Sequence, residues 1–334
     1  MNKKLLSILK YLVFLGIAFG LLYFSFKGID LDQVLASIKR ANFTWIIVAM
    51  IAGYLAFVFR GLRWKLLLEP MGYEVNAWDG IHSVNIGYLA NLAVPRLGEV
   101  TRCTVMNRSG KIPVDKLFGT VIAERVIDLV MLGGCFLLTF ILKFEDLERF
   151  IQQAQSTQSA EPTPWLMYLL FMVLAALVVA GLIWKFWAQV LRIPFVPKVV
   201  AFLQGILSGL LAIGRLKHRG RFILYTLLIW VLYFLMSYLY FFCLPETANL
   251  TPGDGLFIMI VGSLGIIAPA PGGIGAFHAT VILGLVTLGI DKTLAGTMAI
   301  IVHTSQSLMT VISGLLALFL LSLGRKKSGD AVLQ

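Results

Sequence analysis

The protein has 334 residues, of which 59% are hydrophobic and 13% are charged, and its mean hydropathy is +0.88. A water-soluble domain could not bury this much apolar surface, so the composition predicts a membrane protein and excludes a large aqueous domain. The 28 Lys and Arg residues outnumber the 17 Asp and Glu residues, a surplus typical of the cytoplasmic rim of a membrane protein, whereas no basic block is long enough to indicate nucleic-acid binding.

Six apolar segments are long enough to span a bilayer, which takes about 20 residues of α-helix. The first follows a basic N-terminus like that of a signal peptide, but it is longer and lacks a small-residue cleavage site, which favours an uncleaved transmembrane helix. The predicted spans are Leu5–Phe26, Phe43–Leu68, Phe118–Leu142, Trp165–Trp187, Phe222–Leu244 and Thr293–Leu323.

Four further segments carry a helical pattern but do not read as complete spans. Trp78–Val94 ends at a proline, and Gly255–Ile290 is interrupted by the run APAPGGIGAFH. Asp30–Arg40 places Leu31 and Val34 at helical spacing and predicts a short interfacial helix. The run 199–213, with its basic flanks, predicts a second interfacial or packed helix.

The basic loops predict the orientation of the chain. Both termini and the loops 96–116 and 185–221 carry the basic clusters and are predicted to be cytoplasmic, whereas 143–164 and 245–254 are predicted to be outside. The alternation holds only if each broken segment enters and leaves on the same side. The sequence therefore predicts an all-α polytopic membrane protein.

The predicted domain organisation is one integral membrane domain, residues 1–334, that contains two inverted repeats. The repeats comprise about 43–142 and about 222–323, each with a broken re-entrant helix pair between spanning helices, and interfacial helices are expected at about 30–40 and 198–214. Transporters with this plan place the substrate at the repeat interface.

The first polar motif, NLAVPRLGEVTR, spans Asn91–Arg102. Pro95 ends a helix and Gly98 permits a close turn, so a following half-helix would present free N–H groups to an anion. Arg96 and Arg102 add forked donors that match phosphate oxygens. Two alternatives stay open: Glu99 pairs with Arg102, or both arginines simply mark the headgroup level.

The second motif, AERVIDL, places Glu124, Arg125 and Asp128 inside a predicted span, where charged groups must face a cavity or one another. Glu124 and Asp128 lie one turn apart on one face. Either they form a structural ion network with Arg125 or with the arginines of the first motif, or one of them carries a coupling proton.

The second broken segment contains two helix-ending prolines and three glycines that permit tight turns. His303 and Gln306 are polar groups of the last span, and interhelical hydrogen bonding alone would explain them; the alternative is that they contact this loop and its His278. The relevant loop residues are Pro269, Pro271, Gly272, Gly273 and Gly275.

Other polar residues predict simpler roles. Arg60, Arg63 and Lys65 flank Trp64 near a span end and predict interfacial anchoring, with a lipid-phosphate contact as the alternative. The three isolated cysteines and four histidines lack the spacing of a disulfide framework or a zinc site, and no ATP-binding or hydrolase motif occurs. No cofactor or metal is expected.

The three motifs NLAVPRLGEVTR, ERVIDL and PAPGGIGAFH, in this order, resemble the integral-membrane flippase domain of lysylphosphatidylglycerol synthases. The resemblance implies a domain that moves a phospholipid between leaflets, and related members are linked to hopanoid or glycolipid pathways. The lysyl-transferring domain is not expected here, since the chain ends eleven residues after Leu323. The residues that match the family pattern are Pro95, Gly98, Glu99, Arg102, Glu124, Arg125, Asp128, Pro271, Gly272, Gly273 and Gly275.

The function expected from these observations is transport of a lipid with an anionic headgroup between leaflets, without ATP hydrolysis, in a bacterial cytoplasmic (inner) membrane. The alternatives are a non-transporting scaffold or a headgroup-modifying enzyme of an envelope-lipid pathway. The expected partner is a phospholipid or other anionic lipid and not nucleic acid; self-association and an envelope-lipid biosynthesis enzyme are further candidates. The candidate substrate-binding set is Asn91, Pro95, Arg96, Gly98, Glu99, Arg102, Glu124, Arg125, Asp128, Pro271, Gly272, Gly273, Gly275, His278, His303 and Gln306.

Overall fold

The computed structural model of the protein describes Gly16 and residues 18–156, 216–267 and 270–330. These residues are almost entirely helical and contain no β-strand. Those up to Phe150 and from Leu216 onward form one compact unit. The helices are α1 (18–26), α2 (Leu31–Arg40), α3 (Phe43–Leu68), α4 (Ala77–Ala93), α5 (Leu97–Gly110), α6 (Val114–Leu142), α7 (Phe144–Ser156), α8 (Arg219–Leu239), α9 (Pro252–Ile267), α10 (Ala276–Thr287) and α11 (Lys292–Asp330).

Four helical stretches in the described part of the chain are long and apolar enough to cross a membrane: Phe43–Met71, Val114–Leu142, Arg219–Cys243 and Lys292–Leu323. They correspond to four of the six predicted spans. The predicted helices 165–187 and 199–213, and most of 5–26, lie outside the described residues. Lipid provides no partner for backbone N–H and C=O groups, so a continuous apolar run of this length forms a helix whatever its neighbours.

Two pairs of shorter helices occupy the predicted breaks. α4 ends at Ala93, and the chain turns through Pro95 and a left-handed Arg96 (φ 65°) into α5. The Gly98 N–H donates to Asn91 Oδ1 over 2.6 Å, so the side chain of α4 caps the first turn of α5. Gly98 has no room for a side chain, because a Cβ there would lie 2.3 Å from the carbonyl oxygen of Gly87.

The second pair has a similar break. Between α9 and α10, Pro271–Gly273 form a single 3₁₀ turn, and Gly272, Gly273 and Gly275 all have positive φ. Each pair is preceded and followed by a long helix, α3 and α6 in the first case and α8 and α11 in the second. The predicted interruptions are therefore confirmed, whereas the inverted orientation of the two stretches stays a prediction.

The acidic segment after α6 departs from the expectation of a polar loop, since its first half forms α7. Leu147 and Phe150 bury one face of this helix, and the ring of Phe150 meets that of Phe257 in α9. Lys143 connects the first turns of α7 and α9, since its Nζ lies 3.2 Å from Asp146 Oδ2 and 2.6 Å from Asp254 Oδ1. Burial lowers the pKa of Lys143, but the hydrogen bonds to Asp254 and Asp146 outweigh it and hold that pKa above its ordinary value.

Candidate functional site

A cavity of about 650 Å³ lies between the long helices and the two breaks. This volume is in the range of ligand pockets. Most of its walls are apolar, with aromatic, leucine and methionine side chains from α3, α6, α8, α9 and α11. Ten of the predicted site residues line it: Asn91, Pro95, Arg96, Glu99, Arg125, Asp128, Gly272, Gly273, His303 and Gln306.

The other six predicted residues are not part of the cavity wall. Gly98, Arg102 and Glu124 lie behind it, on α5 and α6. Pro271, Gly275 and His278 belong to the second break and the start of α10. These residues shape or support the wall from behind, so the structure divides the predicted set into a lining group and a supporting group.

Asp128 is the centre of the charge cluster at the cavity wall. Arg60 of α3 donates from Nη2 to Asp128 Oδ2 over 2.5 Å, and Arg63 donates from Nη2 to Oδ1 over 2.8 Å. All three side chains are buried. Two arginines one turn apart on α3 therefore share one carboxylate of α6, and Arg60 and Asp128 also face the cavity.

A second group of ion pairs, centred on Glu124, lies behind the pairs of Asp128. Arg102 of α5 donates from Nη2 to Glu124 Oε2 over 2.6 Å, and Arg63 Nη2 lies 3.6 Å from Glu124 Oε1. The Arg102 guanidinium also lies 4.8 Å from the ring centre of Trp64, a cation–π contact. Trp64 is fully buried and donates from Nε1 to the Thr120 hydroxyl over 2.8 Å. Helices α3, α5 and α6 are thus joined by charges inside the protein.

The pair Glu99–Arg125 is more open. Arg125 Nη2 donates to Glu99 Oε1, with the two side chains 50% and 23% exposed. Glu99 Oε2 is buried and has no hydrogen-bond partner among the described residues. Arg96 is exposed at the start of α5 and forms no ion pair within the described part of the chain.

The cavity wall carries a surplus of positive charge. Among the described residues that line it, Arg60, Arg96 and Arg125 stand against Glu99 and Asp128. Three positive and two negative charges leave a net charge of +1 when histidine is neutral. This surplus favours an anionic ligand, and solvent screens part of the attraction because Arg96 is exposed and the Arg125 side chain is 50% exposed.

Two interpretations of the sequence are wrong: the alternative in which Glu99 pairs with Arg102, and interfacial anchoring by Arg60 and Arg63. Glu99 and Arg102 do not pair with each other, since Glu99 binds Arg125 and Arg102 binds Glu124. Arg60 and Arg63 do not act as interfacial anchors, because both are buried on Asp128. The i, i+3 spacing of Arg60 and Arg63 inside an apolar run was the available signal that the two arginines share a buried partner. Glu124 and Asp128 also lie about one turn apart, on α6.

The second break and the helices α10 and α11 contribute histidine and other polar groups. The Nε2–H of His303 donates to the Gly272 carbonyl over 2.9 Å, and the His278 and His303 rings lie 4.6 Å apart. Of the two alternatives, the structure shows the contact of His303 with this loop and with His278. Gln306, Ser307 and Thr310 continue the same face of α11 along the cavity wall. The described residues contain no group of three or more His, Cys, Asp or Glu side chains that could hold a metal ion.

Aromatic residues that the sequence reading did not single out complete the wall. Tyr88 of α4 stacks on Phe57 with ring centres 4.0 Å apart, and its hydroxyl lies 3.3 Å from that of Tyr233 on α8. The Arg60 guanidinium is about 6 Å from both tyrosine rings. The Trp230 Nε1–H, also at the wall, is buried without a partner among the described residues. Nothing local marks these aromatic residues, since the chain is rich in them.

Comparison with known proteins gives consistent results over most of the chain. A family model described as "Lysylphosphatidylglycerol synthase TM region" matches residues 8–314. The UPF0104 membrane protein MJ1595 of Methanocaldococcus jannaschii is 29% identical over 126 residues, which are 37% of this chain and 38% of that protein. Glycosyltransferase AglD of Haloferax volcanii is 21% identical over 313 residues, 86% of this chain. The aligned regions cover half or less of these two relatives.

Proposed function

The chain belongs to the lysylphosphatidylglycerol synthase TM region family of multi-pass membrane proteins, and we propose that it moves a lipid with an anionic headgroup between the two leaflets without ATP hydrolysis. The observation that carries the proposal is the surplus of positive charge in a mostly apolar cavity. An intramembrane charge is costly unless it is paired or serves a ligand pathway. Arg96 and Arg125 are the arginines least committed to buried carboxylates, so they are the ones available to a phosphate.

The wall suits both parts of such a lipid. Guanidinium groups match the geometry of phosphate oxygens, and the tyrosine hydroxyls and the neutral side chains of α11 offer further hydrogen bonds to a headgroup. The apolar remainder of the wall, such as Leu129 and Leu132 of α6, tolerates alkyl chains. The chain is proposed to act as a transporter and not as an enzyme, with a scaffold role as the outcome if no translocation occurs.

Translocation in proteoliposomes tests this function directly. Vesicles with the purified protein would contain acyl-labelled fluorescent phosphatidylglycerol or phosphatidylcholine, and a membrane-impermeant quencher would report the fraction exposed outside. We expect faster crossing of phosphatidylglycerol than in empty vesicles, with phosphatidylcholine slower. Replacement of Ser307, a small residue of the cavity wall, by tryptophan should remove most of the acceleration, because the indole fills the headgroup space.

The matched control for this variant is Ser322→Trp, on the exposed surface of the same helix. It adds the same side chain outside the cavity and should transport like the wild-type protein. Equal rates in vesicles with and without protein would contradict transport of these lipids. Undiminished transport by Ser307→Trp, with the variant folded, would contradict passage through the cavity.

The same proposal places the chain in a bacterial cytoplasmic membrane with both termini inside and the two broken segments in opposite orientations. In a background without the native cysteines, a cysteine at Gly253 should react with an impermeant thiol reagent from outside intact cells. A cysteine at Ser109 should react only after the membrane is opened. Labelling of Ser109→Cys in intact cells would contradict this orientation.

A further inference from the structure

Glu99 differs from the other two carboxylates of the charge cluster in how it is paired. Asp128 is held by Arg60 and Arg63, and Glu124 by Arg102 with Arg63 close by. Glu99 has a single counter-ion, Arg125, and its Oε2 is buried without a hydrogen-bond partner among the described residues. It is also the only one of the three that lies on a helix starting at the break, in α5.

The groups around Glu99 come from four helices and the first break. A small recess next to the main cavity is lined by Glu99 together with Arg60 of α3, Tyr88 of α4, Arg102 of α5 and Arg125 of α6. Two of these arginines are already committed, Arg60 to Asp128 and Arg102 to Glu124. Further charged or titratable groups nearby are Asp128 and Arg96 on the cavity wall and Cys103, which is within electrostatic reach of Glu99.

An anionic headgroup in the cavity would therefore compete with Glu99 for Arg125. Breaking the bond of Asp128 or Glu124 would leave a buried arginine uncompensated, which costs several kcal/mol. Among the ion pairs of these three carboxylates, Glu99–Arg125 is the most exposed, and both of its residues face the recess and the cavity. Once Arg125 turns to a phosphate, Glu99 stands beside a second anion without its counter-ion, a situation that favours the protonated carboxyl.

We propose that an anionic headgroup displaces Glu99 from Arg125 and that Glu99 then takes up one proton, so that a proton accompanies each lipid. This inference rests on the function proposed above and names its coupling group. The step balances: the Glu99–Arg125 ion pair opens, an Arg125–phosphate pair forms, and a hydronium ion of the solvent transfers a proton to Glu99, which leaves water and a new O–H bond on the carboxyl. One added negative charge and one added proton leave the cavity charge unchanged, which makes the bound state electroneutral relative to the empty one.

Calorimetry on the whole protein in detergent tests the coupling. The probe is a short-chain phosphatidylglycerol, titrated between about pH 5.5 and about pH 8 in two buffers that differ in ionisation enthalpy. Linkage requires that uptake of one proton weaken binding by up to about tenfold for each unit of rising pH. We expect the wild-type protein to approach this slope and to show a buffer-dependent heat. Glu99→Gln, which mimics the protonated state, should bind with an affinity that no longer changes with pH.

His278 and His303 are further groups that can take up a proton, and His303 lines the cavity, but both remain in Glu99→Gln. The difference between the two proteins therefore isolates Glu99. Glu69→Gln, which removes a partly exposed carboxylate paired with Lys65, is the control and should keep the wild-type slope. A wild-type slope in folded Glu99→Gln, or binding without proton uptake in the wild-type protein, would overturn the inference and leave transport standing. If neither the wild-type protein nor any variant bound the lipid, both proposals would be overturned.

Discussion

Replacement of Asp128 by asparagine should destabilise the protein by about 3–5 kcal/mol, the usual cost of leaving buried charges without their partner. Asp128 is the shared acceptor of Arg60 and Arg63, which lie 2.5 and 2.8 Å from its two oxygens. The asparagine keeps the size of the side chain but removes the negative charge, so two guanidinium groups of α3 remain buried with one fewer counter-ion. We expect a large drop in the thermal midpoint of the detergent-solubilised protein.

Tryptophan fluorescence during heating would measure this effect. The control is the same carboxyl-to-amide change at Glu69, whose pair with Lys65 is 3.9 Å long and about one-third exposed. Exposed pairs contribute about 1 kcal/mol or less, so Glu69→Gln should unfold close to the wild-type temperature. Equal midpoints for Asp128→Asn and the wild-type protein would show that the buried cluster does not hold α3 and α6 together.

Replacement of Arg125 by glutamine should weaken the binding of a short-chain phosphatidylglycerol by about 10- to 100-fold. A charge-assisted hydrogen bond contributes about 1.5–3 kcal/mol, and each 1.4 kcal/mol is a factor of ten. The variant also leaves Glu99 without its counter-ion beside the headgroup site, so lipid binding must also overcome the charge of Glu99 or the cost of protonating it. Since the Arg125 side chain is half exposed, the loss should appear in lipid affinity with little change in thermal stability.

A double-mutant cycle separates the two causes. Glu99→Gln combined with Arg125→Gln removes the repelling carboxylate and should recover part of the lost affinity. Arg40→Gln serves as the control, because it breaks a partly exposed pair with Glu246 outside the cavity and should bind like the wild-type protein. If Arg125→Gln bound the lipid with wild-type affinity, Arg125 would not bind the headgroup, and the proposed competition with Glu99 would be contradicted as well.

The charged groups of the site have two different roles, one in stability and one in ligand binding. The buried pairs of α3, α5 and α6 hold the helices in place. The open pair Glu99–Arg125 faces the space where a headgroup would lie, as does Arg96, which has no ion pair among the described residues. α11 adds the polar groups His303, which contacts the second break, and Gln306. Stability and ligand binding should therefore respond to different arginines of the same cluster.

The amino-acid sequence was sufficient for the four long helices in the described part of the chain and for the two breaks. α3 begins at Phe43 and ends at Leu68 as predicted, and α4 ends before Pro95. In lipid the backbone must satisfy its hydrogen bonds within the segment, so local length, apolarity and proline decide these features. α7 escaped prediction because its stability depends on the burial of Leu147 and Phe150, and on the contact of Phe150 with α9, which is distant in the chain.

The sequence by itself determined the class of protein, the positions of four described spans and most of the polar residues that meet at the cavity. Only the tertiary structure decided which charge pairs with which. Arg60 and Asp128 are 68 residues apart, and Glu99 binds Arg125 and not the nearby Arg102. Helix formation in a membrane is a local requirement, whereas ion pairing depends on which helix faces pack together, and spacing along one helix does not contain that information.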